Sequence, residues 1–351
     1  MSQLHRAERA YVRRPMHGRG MNLSAPFPYF GGKSRAAPLV WSRFGNVDNY
    51  VEPFCGSAAM LLGAPKSKRV ETINDADGFV ANFWRAVSFD PDAVARHADW
   101  PVVEADLEAR HAWLVQRSER LRWQLEDPDF FDAKIAGWWV WGACAWIGSG
   151  WCGGQGPHIT TGARIFDRRQ LPHLSAGQGI NRQLPHVGNA GRGINRKLPH
   201  AGNAGRGQFI REWMRDLSER LRDVRVANGD WSRVLSSSVT TRHGVTAVFL
   251  DPPYVKGAMD YAAGGVGTDL SAQVREWCAA NGNDPKFRIA LCGHADEHEI
   301  DGWTAEVWKA GGGYAKSEEA TANRKSETIW FSPHCERATK PTGDLVLEAA
   351  E

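Results

Sequence analysis

The sequence Asp251-Pro252-Pro253-Tyr254 directly follows a nearly continuous apolar run at residues 245–250. A carboxylate and a main-chain carbonyl at the end of a buried strand can accept both N–H bonds of an amine on an aromatic ring. Such an amine is a poor nucleophile because its lone pair is delocalised into the ring, and two acceptors favour the localised lone pair electrostatically. Asp251 and the Pro252 carbonyl could supply these acceptors, in a turn that the two prolines make rigid. This turn could therefore activate a ring amine for attack on an electrophile such as a sulfonium methyl group.

Tyr254 adds a flat aromatic face to the same turn. A base flipped out of a duplex could stack on it, and such stacking contributes roughly 1 to 3 kcal/mol per base, comparable to the unstacking cost. The alternative interpretation is an ordinary strand-ending turn with a surface tyrosine. The four residues alone leave both interpretations open.

A second polar turn, Pro53-Phe54-Cys55-Gly56-Ser57, follows a β-type run at residues 50–52. It lacks the G-x-G-x-x-G spacing, so a nicotinamide dinucleotide fold is not supported. Asp75 ends the next strand-like run, where a carboxylate can bind the ribose hydroxyls of a nucleoside cofactor. The alternative role for Asp75 is that of a helix cap.

Three short motifs occur in order along the chain: Pro28-Tyr29-Phe30-Gly31-Gly32-Lys33, Glu52-Pro53-Phe54-Cys55-Gly56 and Asp251-Pro252-Pro253-Tyr254. In this order of motifs the chain resembles the alpha-group (D12-class) DNA adenine N6-methyltransferases, whose target-recognition sequence is inserted before D-P-P-Y. The resemblance covers roughly residues 27–333. It implies methyl transfer from the cofactor S-adenosylmethionine to adenine N6 of a flipped-out base in double-stranded DNA.

The resemblance also assigns roles by position. It implies cofactor contacts for Tyr29, Lys33, Glu52, Pro53, Phe54, Gly56, Asp75, Asp230 and Asp251, and catalysis by Asp251, Pro252 and Tyr254. Within this set Asp75 corresponds to the ribose-binding acid, and Asp230 to the segment near the cofactor adenine. The chain departs from the pattern at Ala58, where many members carry a second glycine; because alanine is small, we expect the loop to survive. No metal is implied, since the cofactor carries its own leaving group.

Strands alternating with helices are expected to position these residues. The runs predicted as strands are residues 50–52, 69–73, 224–226, 245–250, 288–292, 304–308 and 327–331. Helices are predicted up to residue 62, through residues 79–87 and over residues 270–280. This alternation predicts an α/β fold with a doubly wound, mainly parallel, Rossmann-like methyltransferase sheet, which binds ligands beyond the carboxyl ends of its strands.

The middle of the chain has a different character and divides the predicted catalytic domain. We expect a flexible basic arm at residues 1–22, a discontinuous catalytic domain at 23–90 and 208–340, a helical and loop-rich target-recognition insert at 91–207, and a tail at 341–351. The first part of the insert is predicted to consist of helices, including the long charged stretch at residues 107–126. The dense apolar positions near Trp138 favour buried helix packing over an aromatic DNA-binding surface.

The second part of the insert repeats the sequence Arg-x-Leu-Pro-His three times, at residues 169–173, 182–186 and 196–200. Asp167 is the sole acidic residue between residues 162 and 207, so positive charge is concentrated there. Contacts to DNA phosphates or guanine are expected from Arg168, Arg169, Arg182, Arg192, Arg196 and Arg206. The alternative is a solvated loop, and the repeat histidines lack the compact spacing of a zinc site.

Composition narrows the class of protein. The 351 residues suffice for a full core, and the formal net charge of +3 is too small to diagnose a nucleic-acid partner. The six cysteines form no C-x-x-C pair, which disfavours a zinc cluster or a disulfide framework. Because no apolar run can span a bilayer, we expect no membrane partner and a cytoplasmic location in a prokaryotic or phage-infected cell. A cognate restriction endonuclease is compatible with this interpretation but not required for activity.

Other functions remain open from the sequence. One alternative is methylation of cytosine N4 or of adenine in RNA, although the aspartate that begins D-P-P-Y favours adenine. A different class of alternative is a catalytically silent DNA-binding protein. The presence of Tyr29, Lys33, Asp75, Asp251 and Tyr254 argues against it.

Overall fold

The structure is a computed structural model that describes residues 23, 25–29, 33–127, 129–146, 151–152, 158–161, 164–167, 203–253, 267–294, 297–308 and 327–337. At 158–161, 164–167, 203–208 and 267–269 it describes the backbone alone. Within these ranges the helices are α1 (Ala37–Phe44), α2 (Ala59–Leu62), α3 (Gly78–Phe89), α4 (Pro91–Ala98), α5 (Glu104–Val115), α6 (Ser118–Gln124), α7 (Ala133–Ala145), α8 (Asn203–Leu221) and α9 (Gly267–Asn281). The strands are β1 (Asn49–Glu52), β2 (Val70–Asp75), β3 (His158–Thr161), β4 (Arg164–Asp167), β5 (Val224–Asn228), β6 (Thr246–Leu250), β7 (Phe287–His294), β8 (Thr304–Val307) and β9 (Glu327–Phe331).

Seven of these strands form one sheet in the order β5-β2-β1-β6-β7-β9-β8. The strands from β5 to β7 pair in parallel. β9 runs antiparallel to both of its neighbours, β7 and β8. β3 and β4 form a separate antiparallel pair. The mixed α/β fold with a mainly parallel sheet, predicted from the alternation of strands and helices, is therefore confirmed.

Strand β6 shows how the core forms on both faces of the sheet. Ala247 and Phe249 pack in a cluster that includes side chains of α1, α3, α7 and α8. Val248 and Leu250, which point to the opposite face, pack with α9 and with a 3-10 helix, Trp231–Leu235. A parallel strand covered on both faces is apolar at nearly every position, so the continuous run predicted as a buried strand is confirmed.

The helices α4 to α7 lie between α3 and β3 along the chain. The charged stretch at residues 107–126, predicted to be helical, is divided between two helices, because α5 ends at Val115 and α6 begins at Ser118. Leu107 packs with Trp141 in a small cluster, whereas Leu114 and Leu121, on either side of the break, join the main core. Trp141 itself is fully buried, which confirms buried helix packing for this part of the chain. Among the residues that the structure describes, no helix combines the length and hydropathy needed to cross a membrane.

The direction of winding changes between β1 and β6. From β1 the strand order continues to β2 and β5 on one side, and from β6 it continues to β7 on the other. In open α/β sheets such a switch point leaves a crevice at the carboxyl ends of the two strands, where ligands bind. Glu52 ends β1 and Asp251 directly follows β6, so the sheet brings the second and third motifs to the same crevice.

Candidate active site

Glu52 is a buried carboxyl group at the switch point, with only 2% of its surface exposed. Its Oε2 accepts hydrogen bonds from the Tyr50 hydroxyl, at 2.9 Å, and from the Leu61 N–H, at 3.2 Å. Burial raises the pKa of Glu52 to about 8, and the nearby Asp251 and Asp75 carboxylates add to the rise, while the two hydrogen bonds oppose it. Glu52 is therefore mostly protonated at neutral pH, and a cation bound beside it would favour the ionised form.

The raised pKa makes the stability of the protein depend on pH. In the unfolded chain the pKa of a glutamate is ~4.3. Between that pH and about 8, the folded state therefore keeps a proton that the unfolded state has lost. The free energy of unfolding attributable to Glu52 is thus largest below the unfolded pKa, decreases as the pH rises through about 8, and then levels off. One linked proton corresponds to a slope of at most about 1.4 kcal/mol per pH unit.

This linkage is measurable by urea unfolding at pH 5.5 to 9. We expect Glu52→Gln to flatten the decrease in unfolding free energy relative to the unmodified protein. Glu306→Gln is the matched control, because Glu306 pairs with Arg43 at 2.7 Å and lies outside the crevice. If Glu52→Gln retained the full slope, the pH dependence would have to come from other groups.

Asn74 connects the loops after β1 and β5 to the end of β2, at the carboxyl edge of the sheet. It is the penultimate residue of β2 and is buried. Its side-chain amide donates hydrogen bonds to the carbonyls of Pro53 and Gly229, both at 3.0 Å. The loops after β1 and β5 are thereby fixed to the end of β2, although the sequence offered no specific indication of this role.

Asp75 ends β2 and binds the loop that contains Gly56. Its Oδ2 accepts the Gly56 N–H and its Oδ1 accepts the Asp77 N–H, both at 2.9 Å. Desolvation raises the pKa of Asp75 to about 7, and the neighbouring Asp77 carboxylate contributes to the rise. The cap of α3 is Asp77, which accepts the Phe79 N–H at 2.8 Å, so the helix-cap alternative for Asp75 is wrong.

Tyr29 of the first motif lies directly over Gly56 of the second. Gly56 has a φ of +44°, and a Cβ atom at this position would overlap the Tyr29 ring. The Gly56 carbonyl accepts the indole N–H of Trp84 at 2.8 Å, while the Phe27 ring contacts Tyr29 edge-on, with ring centres 5.9 Å apart. The close approach of the ring explains why this position requires glycine.

Ala58 occupies the position where many family members have a second glycine. It is the N-cap residue of α2, is fully buried and has a φ of +49°. This left-handed conformation costs a residue with a Cβ atom roughly 1–2 kcal/mol. The backbone therefore keeps the conformation that suits glycine, and the alanine carries a conformational cost.

Phe54 and Asp230 meet through Trp231. The rings of Phe54 and Trp231 are stacked, with centres 6.0 Å apart and an interplanar angle of 24°. Asp230 is exposed and accepts the Ser232 N–H at 2.9 Å, so it caps the 3-10 helix Trp231–Leu235. The sequence did not single out Trp231, because a tryptophan after a turn does not by itself indicate a stacked partner.

Lys33 and Asp251 form an ion pair that joins the first and third motifs. Lys33 begins a 3-10 helix, is 3% exposed, and places its Nζ 3.2 Å from Oδ1 of Asp251. The same Nζ lies 3.7 Å from Oε2 of Glu327 and 5.7 Å from the centre of the Trp308 ring. Burial alone would lower the pKa of Lys33, but the carboxylates of Asp251 and Glu327 outweigh it and raise the pKa. The ammonium group is therefore charged.

Glu327 is a site residue that the sequence did not reveal. It is the first residue of β9, and its register partner is His294, the last residue of β7. Because β9 runs antiparallel, its beginning lies at the edge where the parallel strands end. The strand at residues 327–331 was predicted, but its direction in the sheet was not; a charged residue at the start of an apolar strand was the one available signal.

Some residues of the predicted site lie outside the described residues: Tyr254, Arg168, Arg169, Arg182, Arg192 and Arg196. Arg206 falls in α8, where the backbone alone is described. The described ranges contain no group of three or more histidine, cysteine, aspartate or glutamate side chains arranged to hold a metal ion.

The crevice combines carboxyl groups with aromatic rings. Glu52, Asp75 and Asp251 suit a ligand that carries positive charge and hydroxyl groups, and the ring of Tyr29, packed closely on the backbone of Gly56, suits a flat contact. Because burial raises the pKa values of Glu52 and Asp75, a cation bound beside them would stabilise their ionised forms. These residues fit S-adenosylmethionine, which has a sulfonium, a ribose and an adenine.

The model of a protein family matches residues 29–109, and its description is D12 class N6 adenine-specific DNA methyltransferase. This span includes Tyr29, Lys33, the loop after β1, and Asp75. A comparison of the chain with curated proteins gives no match. The resemblance read from the motifs is confirmed over residues 29–109, where the chain, including Lys33 and the loop from Glu52 to Gly56, is similar to the D12 class of N6 adenine-specific DNA methyltransferases.

Proposed function

We propose that this protein is a site-specific DNA methyltransferase that moves a methyl group from S-adenosylmethionine to N6 of a flipped-out adenine in duplex DNA. The observation that carries the proposal is the position of Asp251, which follows β6 at the switch point and is held by Lys33 at 3.2 Å. The loop from Glu52 to Gly56 lies at the end of the adjacent strand, β1. An amine acceptor and a cofactor-binding loop thus share one crevice.

Bound S-adenosylmethionine would supply a methyl group attached to a positively charged sulfur. Asp251 would accept one hydrogen bond from the adenine amine and the Pro252 carbonyl the other, which localises the nitrogen lone pair for attack. Asp251 and the Pro252 carbonyl would thus hold N6 to receive the methyl group, whose bonding electron pair would remain with the departing sulfur, and the proton that N6 loses would pass to solvent. Tyr254 would stack on the flipped base.

Cofactor binding is proposed for the residues around β1 and β2. Tyr29, with Gly56 beneath it, would form one wall, and Asp75 would bind the ribose while its other lone pairs hold the loop. Phe54 and Asp230 would lie at the adenine end, next to Trp231. Lys33 would act chiefly through its ion pair with Asp251 rather than as an isolated cation.

Target recognition is proposed for residues 91–207, with the repeat arginines on the DNA backbone. If Arg182, Arg192 and Arg196 each contact a phosphate, replacing all three by glutamine should reduce the slope of log K against log salt by about 3 units. Fluorescence anisotropy with a labelled duplex at several salt concentrations measures this slope. Arg215→Gln is the control, because Arg215 is paired with Asp92 at 2.7 Å on the surface. An unaltered slope in the triple variant would return the repeats to the solvated-loop interpretation.

The direct test of function incubates purified protein and labelled S-adenosylmethionine with unmodified duplex DNA of varied sequence and, in a parallel reaction, with RNA, while fluorescence anisotropy measures DNA binding. After digestion to nucleosides, we expect the label in N6-methyladenine. Label in N4-methylcytosine, or in RNA but not in DNA, would replace the proposed substrate by one of its alternatives. DNA binding without any methylated nucleoside would indicate a catalytically silent DNA-binding protein and would refute the proposal.

A further inference from the structure

Glu327 introduces a second carboxylate beside an ion pair that would be complete without it. Lys33 and Asp251 alone would form a neutral pair, with Nζ and Oδ1 separated by 3.2 Å. Oε2 of Glu327 lies 3.7 Å from the same Nζ and comes from β9, a strand far from both partners in sequence. Two carboxylates from distant parts of the chain, Asp251 and Glu327, therefore contact the one buried ammonium of Lys33.

We propose that Glu327 is a positioning residue: by sharing the Lys33 ammonium, it leaves Asp251 more negative and better able to accept the hydrogen bond of the adenine amine. The inference rests on the proposed function of Asp251. Glu327 itself would touch neither the amine nor the cofactor, and would act through Lys33.

The electrostatic reason is the competition between two donors for Asp251. A lysine at hydrogen-bond distance satisfies a carboxylate strongly, and in a partly buried site the attraction is much larger than in water. With Glu327 present, one positive charge is divided between two carboxylates and the group of three carries a net charge of −1. This net negative charge remains available to an amine that becomes positive as its lone pair attacks.

The surroundings allow the side chain of Glu327 to act in this way. The Glu327 side chain is 13% exposed, and desolvation raises its pKa, while the charge of Lys33 opposes that rise. Other titratable neighbours are Cys292, whose burial raises its thiol pKa well above the ordinary value, and His294, whose charged form would oppose the rise of the Glu327 pKa. Among the described residues, Lys33 is the lysine that contacts both carboxylates.

The first experiment measures the Lys33 ammonium in the protein without cofactor or DNA. A proton–nitrogen NMR spectrum of the lysine Nζ groups, assigned with Lys33→Met, follows its titration with pH. In Glu327→Gln the loss of one neighbouring negative charge should lower the pKa of Lys33. The matched control Glu306→Gln, which removes the partner of Arg43, should leave the Lys33 titration unchanged.

The second experiment measures turnover of the same variants on methyl-acceptor DNA. We expect Glu327→Gln to lower kcat by about 10-fold, less than the loss from removing the acceptor itself, with KM for cofactor and DNA nearly unchanged. Glu327→Gln and Lys33→Met should also be non-additive, because both act on Asp251 through the same contact.

The possible failures are distinguishable. An unchanged Lys33 titration in Glu327→Gln, or an unchanged kcat, would refute the positioning role while leaving the proposed methylation intact. Absence of methylation by the unmodified protein would refute the proposed function. A normal thermal unfolding curve of Glu327→Gln, compared with Glu306→Gln, separates a lost positioning contact from a damaged fold.

Discussion

Asp251→Ala is expected to reduce methyl transfer by at least about 10³-fold, which corresponds to roughly 4 kcal/mol of transition-state stabilisation. The reason is that Asp251 would accept the amine hydrogen only as the lone pair becomes localised, so its removal affects the chemical step more than binding. The affinity for duplex DNA should remain within about threefold, since that change is only ~0.7 kcal/mol. Single-turnover methylation and fluorescence anisotropy measure the two effects separately.

The structure indicates that this variant will fold. Asp251 removal leaves Lys33 with a carboxylate 3.7 Å away, on Glu327, so the buried ammonium keeps an opposite charge nearby. Asp251→Asn tests the charge with almost the same shape, and should also lose most activity. Asp92→Asn is the matched control, because it makes the same chemical change in a half-exposed ion pair with Arg215. Unchanged turnover in Asp251→Ala would remove Asp251 from the mechanism.

The part of the fold that sequence predicts well is the part where local pattern and burial agree. Strand β6 is buried throughout because it is covered on both faces, and four of its five residues are apolar, so the polar Asp251 marks its carboxyl end. The motif residues at the ends of β1, β2 and β6 meet because parallel strands end at the same edge. The alternation of strands and helices in the sequence is enough to indicate a parallel sheet, and the parallel sheet brings these residues together.

The break between α5 and α6 illustrates what the sequence does not reveal. Gln116 and Arg117 are ordinary helix formers, and no proline or glycine marks the boundary. Leu114 and Leu121, on either side of the break, both pack in the main core cluster, while Leu107 packs with Trp141. Such a break depends on the positions of distant side chains, and local propensity cannot predict it.

Glu327 was missed for a related reason. Its place in the site depends on β9 being antiparallel to β7, so that the beginning of the strand reaches the active edge. The apolar pattern of a strand is the same in either direction. The roles of Asp75 and Asp77 also could not be told apart from the sequence, because both aspartates lie just before α3. The hydrogen bonds show that Asp77 caps the helix and that Asp75 accepts the Gly56 N–H.

Gly56→Ala is expected to weaken S-adenosylmethionine binding by at least about 30-fold, or ~2 kcal/mol. A Cβ at Gly56 would overlap the Tyr29 ring, so the ring must leave the position from which it would contact the cofactor. The substitution also forces alanine to adopt a φ of +44°, which adds strain of roughly 1–2 kcal/mol. Isothermal titration with S-adenosylmethionine measures the loss of affinity, and thermal unfolding measures the cost to stability.

Gly302→Ala separates these two effects. Gly302 also has a positive φ, +76°, but the nearest atom to a Cβ there is Pro333 Cγ at 3.8 Å, an ordinary contact. This control should therefore lose stability through backbone strain alone and bind S-adenosylmethionine normally. Equal affinity in Gly56→Ala and in the unmodified protein would show that Tyr29 and Gly56 do not line the cofactor site. Equal loss of affinity in both glycine variants would instead assign the effect to general destabilisation, because only Gly56 lies beneath the tyrosine ring.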